Sequence, residues 1–87
     1  MWYGMCRFSL EPYKTIYGPF KDISDAWEHI EVCAEKEYAE DIEESNWTST
    51  MEKDPEVGEI IITTTFASGD VGTSLYCIFE INNTKLI

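Results

Sequence analysis

His29 and Cys33 have the residue types and the spacing of a nucleophile beside its general base. They stand four residues apart in a segment of helical periodicity, so they are neighbours on the helix surface. A thiolate activated in this way attacks carbonyl carbon, but it also needs a third group to orient the imidazole and donors for an oxyanion. No residue at a recognisable spacing supplies either. The surrounding carboxylates would raise the thiol's pKa and blunt it. Together with Cys6 and Cys77 the same pair has zinc-ligand chemistry, yet no paired-cysteine spacing accompanies it. The bland reading is a core cysteine beside a partly exposed histidine. No catalytic residue, metal or cofactor is assigned from the sequence.

Carboxylates are the other reactive population. Asp22 to Glu44 reads DISDAWEHIEVCAEKEYAEDIEE, with ten acids and a single base, Lys36, in a chain of net charge -11. Paired carboxylates can hydrolyse a glycosidic bond when they flank it in a cleft with unlike environments. Seventeen acids guarantee close pairs by chance in a chain this short. Calcium chemistry is weaker still, because the acids follow helical spacing and no loop has the glycine-containing calcium pattern. A phosphate-cradling glycine motif is absent too. What remains is electrostatics. Crowding of one sign destabilises a folded chain and commonly serves steering or association.

These side chains need a scaffold, and 87 residues make one domain, spanning 1–87. A chain of this size has a thin margin of stability, on the order of 5 kcal/mol. Its aromatic content argues against disorder. No apolar stretch reaches membrane-spanning length, and the first residues lack the pattern of a secretory signal. Three widely spaced cysteines suit reduced thiols and a cytoplasmic setting.

Residues 2–10 alternate, with Trp2, Cys6, Phe8 and Leu10 on one face, and predict a half-buried strand. Glu11-Pro12-Tyr13-Lys14 has turn chemistry, and Thr15-Ile16-Tyr17 predicts a short second strand stopped by Gly18-Pro19, where Pro19, lacking an amide hydrogen, ends the ladder or marks an edge. Ile23, Ala26, Trp27, Ile30, Cys33, Ala34, Tyr38 and Ile42 follow spacings of three and four, the stripe of an amphipathic helix capped by Asp22 or Ser24. Acids near its start favour the dipole; Glu40, Asp41, Glu43 and Glu44 at its end oppose it. A local rule broken in this way marks a candidate functional site. Ser45–Val57 reads as a polar connector. Glu59–Phe66 predicts a third strand with Ile60, Ile62 and Phe66 on one face, and a glycine-bearing loop leads to a last strand whose main apolar row is Leu75, Cys77, Phe79 and Ile81. Ile61 and Ile78 fall on a second apolar face, which calls for a cover: the connector or another subunit. The expected fold is therefore α+β, a mostly antiparallel four-stranded sheet in chain order ββαββ with one acidic amphipathic helix packed on one face.

Ten carboxylates on a rod of roughly 35 Å give one charge per ~3.5 Å, close to the ~3.4 Å per phosphate of a DNA strand. Glu28, Glu31 and Glu35 share one side; Glu37, Asp41 and Glu44 share another. Lys36–Glu40 is the one helical ion pair the sequence offers, whereas ordinary solvated faces mix the two signs. Direct binding to nucleic acid or to an anionic membrane is disfavoured, so the expected partner is a basic protein surface. Trp47, just past the acids, reads either as cover for one end of the sheet or as an aromatic interface anchor.

In size, charge and the acidic segment from Asp22 to Glu44, the chain resembles small phage-encoded inhibitors of host nucleic-acid machinery, the anti-CRISPR proteins and the DNA-mimic anti-restriction proteins. That resemblance implies an inhibitor that fills a basic nucleic-acid-binding surface of a host defence nuclease or effector, in the host cytoplasm. Immunity proteins of nuclease toxins are similar in size and charge and imply the neutralisation of a basic toxin. The residues expected to meet the partner's cations are Glu28, Glu31, Glu35, Glu40, Asp41, Glu43 and Glu44, with Trp47 beside them. A small thiol or metal protein using His29 and Cys33 is the reading from another class, and a homodimer is left open by the second apolar sheet face.

Overall fold

The computed structural model describes residues 1–82. Strands β1 (Trp2–Phe8) and β2 (Lys14–Phe20) precede the helix α1 (Ile23–Glu43), and β3 (Thr48–Asp54), β4 (Glu59–Thr65) and β5 (Val71–Glu80) follow it. They form one sheet in the order β2-β1-β5-β4-β3, and every neighbouring pair is antiparallel. α1 lies across one face. Among the described residues the class and the single helix are those the sequence implies, but the sheet has five strands instead of four.

The additional strand is β3, inside the segment read as a connector. Its sequence, TSTMEKD, carries a single apolar residue, Met51. Such polarity suits an edge strand, where one row of backbone groups faces water. At the other edge, β2 does not stop at Gly18-Pro19 but runs through it to Phe20. Gly18 has φ 116°, a left-handed conformation that glycine adopts freely, and Pro19 is tolerated because an edge strand can spare one donor. Pairing with β1 slips between Trp2 and Gly4 as a result of this irregular stretch.

The core lies between α1 and the central strand β5 with its neighbour β4. Ala26, Ile30 and Ala34 are buried against Ile60, Ile62 and Tyr76. Ile30, Ile60 and Ile62 are essentially inaccessible, and each contributes roughly 1.5–3 kcal/mol by leaving water. Two alanines on the helix and Gly4 beneath it allow a close approach: a Cβ on Gly4 would come within 2.5 Å of Ile30 Cγ2. Ile23 and Ile42, expected on the core stripe, are about half exposed at 49% and 54%. Tyr38 packs at the edge of the core as expected, but from Ala34 onward Glu37 and Asp41 also take sheet-facing positions.

Cross-strand neighbours share a face, and this corrects the assignment of β5. Tyr76 stands opposite Cys6 and Ile60, so Tyr76, not the Leu75 row, faces the helix. Ile78 also packs on the core side. Leu75, Cys77 and Phe79 point away from α1, together with Ile61, which pairs with Leu75. The segment expected to cover this outer face instead extends the sheet as β3.

Candidate partner-binding surface

The helix that carries the acids divides them into three groups. Asp25, Glu28, Glu40, Glu43 and Glu44 are exposed. Glu31 and Glu35 both reach Lys53 of β3, at 3.1 and 2.5 Å, which neutralises part of that side. Lys53 belongs to the stretch whose polar sequence predicts a connector, and pairing as β3 brings it beside the helix. Glu37 and Asp41 turn toward the sheet: the Tyr76 hydroxyl donates to Glu37 Oε1 at 2.8 Å, and Thr64 Oγ1 donates to Asp41 Oδ2 at 3.2 Å. Thr64 gives its proton to Asp41, so Ser49, 2.8 Å from the same oxygen, is the donor in that second contact.

Burial shapes the titration of these groups. It pushes the Asp41 carboxyl above the usual range, against the lowering effect of Thr64, and Glu40 and Glu44 push it further. Burial, then the bond to Glu37, raises the Tyr76 phenol; burial also lifts the Cys6 thiol. Tyr17 rises to about 12, again mainly through burial.

Glu37 and Asp41 form one wall of a cavity of about 380 Å³ between the end of α1 and the sheet. Phe8, Phe66 and Trp47 supply aromatic surface, and Glu11 and Tyr13 stand at the β1–β2 hairpin side. Trp47 meets Phe66 edge-on, with centroids 4.7 Å apart and planes at 89°. Gly72 lies under the rings: a Cβ there would come within 2.7 Å of Phe8 and 2.9 Å of Phe66. Both phenyl groups therefore rest on bare backbone. An acidic wall over an aromatic floor suits a cation on an apolar stem, because the stem packs on the rings while the charge meets carboxylate.

Trp47 thus covers the end of the sheet, with its ring lining the cavity. Of the expected partner-binding residues, Asp41 and Trp47 come together here, and Glu40, Glu43 and Glu44 follow on the same end of the helix. Glu28 lies toward the other end, among Asp25, His29 and Val32. Glu37, Glu11 and Tyr13 were missed as site residues. For Glu37 a signal existed: Ala26, Ile30 and Ala34 continue at spacings of three and four to Glu37 and Asp41.

The thiol and metal alternative finds its residues dispersed. His29 is exposed and sits against Tyr17 and Phe20, with ring centroids 5.0 and 5.3 Å away. Cys33 is half-buried beside the core, Cys6 is on the helix side of the sheet and Cys77 on the other. All three cysteines are free. Among the described residues, no group of three His, Cys, Asp or Glu side chains is placed to hold a metal ion. No described helix is long and apolar enough to cross a membrane. No protein family, curated protein or solved structure matches this chain.

Proposed function

We propose that the chain is a binding protein that occupies a basic nucleic-acid-binding surface on a host defence nuclease or effector, acting in the host cytoplasm as an inhibitor of the anti-CRISPR or DNA-mimic type. The observation that carries this reading is the cavity in which Glu37 and Asp41 face Phe8, Phe66 and Trp47, beside the exposed Glu40, Glu43 and Glu44. A lysine or arginine side chain of the partner enters the cavity, and neighbouring cations lie along the helix end. The ridge of 21 residues is ~31 Å long, enough to meet several cations that otherwise hold phosphates. Charge complementarity speeds the encounter, and the aromatic cavity slows release.

The test is a panel of purified CRISPR effector nucleases and restriction endonucleases, with cleavage of duplex DNA as the readout. The chain blocks at least one of them, less well as salt rises, since the screening length is only ~8 Å at 0.15 M. Replacing Glu40, Glu43 and Glu44 by Gln and Asp41 by Asn weakens inhibition at least tenfold, the loss of ~1.4 kcal/mol or more. Unchanged inhibition by that variant, or no inhibition across the panel, overturns the reading.

A further inference from the structure

We propose that the outer face of the sheet is a self-association surface on which a second copy of this chain packs, about a two-fold axis parallel to the strands. This stands independently of the function proposed above. The face is apolar at its centre: Leu75, Cys77 and Phe79 of β5 lie beside Met5 and Ile61, and Ile16 is 49% exposed. No described element covers it, whereas an antiparallel sheet that faces water ordinarily turns polar residues outward.

Charge at the two margins specifies the occupant. One straight row crosses all five strands on this face: Lys14, Arg7, Leu75, Ile61, Glu52. It is basic at the β2 edge, apolar in the middle and acidic at the β3 edge. β5 is the middle strand. An axis along it lays β2 of one copy over β3 of the other, and β5 over β5. Lys14 then meets Glu52 of the second copy, Leu75 meets Leu75, and Arg7 falls beside Ile61, between the second copy's Glu52 and Glu59. Both ends of the row are satisfied twice. An axis across the strands would instead set Lys14 over Lys14 and Glu52 over Glu52. The face is therefore complementary to itself in one orientation, which is the aligned class of sheet packing.

Size and long-range charge agree with this. Five strands at ~4.8 Å and seven residues at ~3.4 Å give a face of roughly 24 Å by 24 Å, or ~600 Å² per copy and ~1,200 Å² in total, the lower bound of a stable interface. The helices lie on the far sides, and with sheets ~10 Å apart the two acidic ridges are roughly 30 Å from each other, beyond the ~8 Å screening length. The net charge of -11 therefore does not oppose this contact.

Sedimentation velocity at chain concentrations up to roughly 100 µM, where a dimer of micromolar Kd is populated, tests the proposal. The expected species is a dimer. Lys14→Glu weakens it at least tenfold, and Lys14→Glu combined with Glu52→Lys restores it; both residues are exposed, and circular dichroism of each variant verifies the fold. A short bismaleimide links Cys77 to Cys77 in the wild-type dimer, read by peptide mass mapping. A monomer at every concentration overturns the proposal. So does a dimer indifferent to Lys14→Glu, or a swap that restores nothing.

Discussion

Thr64 of β4 donates a hydrogen bond to Asp41 at the end of α1, at 3.2 Å, and so places a carboxylate on the sheet side of an amphipathic helix. Burial holds that carboxyl above its ordinary range. The folded state therefore binds its proton more readily than the unfolded state. The stability this adds is complete below the ordinary carboxylate pKa and is lost as pH rises through the elevated folded value. At neutral pH the charge also opposes the helix dipole.

Asp41→Asn keeps an oxygen for Thr64 and removes both penalties. Urea denaturation at pH 7 should show the variant more stable by about 0.5–1 kcal/mol, with the advantage shrinking as pH falls and Asp41, its carboxyl held above the ordinary range, takes up its proton. A variant less stable than wild type at pH 7 would mean that the carboxylate is needed by the fold.

Gly4→Ala places a methyl 2.5 Å from Ile30 Cγ2, at the foot of a fully buried, branched side chain. Overpacking of this kind costs about 1–3 kcal/mol, measurable as a lower denaturation midpoint. Ile30→Ala is destabilising alone, but the double variant should lose less than the sum of the two singles, because the clash and its partner vanish together. Strict additivity would break the link between the two residues.

Lys53→Met removes the cation shared by Glu31 and Glu35. The site is partly exposed, so the loss should be no more than about 1 kcal/mol at low ionic strength, falling toward zero in ~1 M salt, where the screening length is ~3 Å. A difference that survives high salt would assign the effect to packing of the lysine stem.

Much of this fold is legible in the residues, and its failures share a cause. α1 is readable because Ala26, Ile30 and Ala34 recur at helical spacing. Beyond Ala34 the apolar pattern predicts Tyr38 and Ile42 on the core side; Tyr38 does pack there, but Ile42 is exposed, and the helical angle also delivers Glu37 and Asp41 inward. Tertiary contact with Thr64 and Tyr76 satisfies those carboxylates, and no local pattern reports it. β5 is apolar on both faces, so alternation could locate the strand but could not decide whether Leu75 or Tyr76 faces the helix. β3 is an edge strand whose polar sequence resembles a loop. Its pairing with β4 also brings in Lys53, the counter-charge that the helix alone lacks.

α1 is the sole covalent route between the two borders of the sheet, leaving β2 on one side and handing over to β3 on the other. It works as a strap buckled at both ends. Lifting it would strip Ile60, Ile62 and Tyr76 of their cover and loosen both borders in a single event. The carboxylates it displays are thus as durable as the whole molecule, and anything that grips them must conform to a rail already set in place.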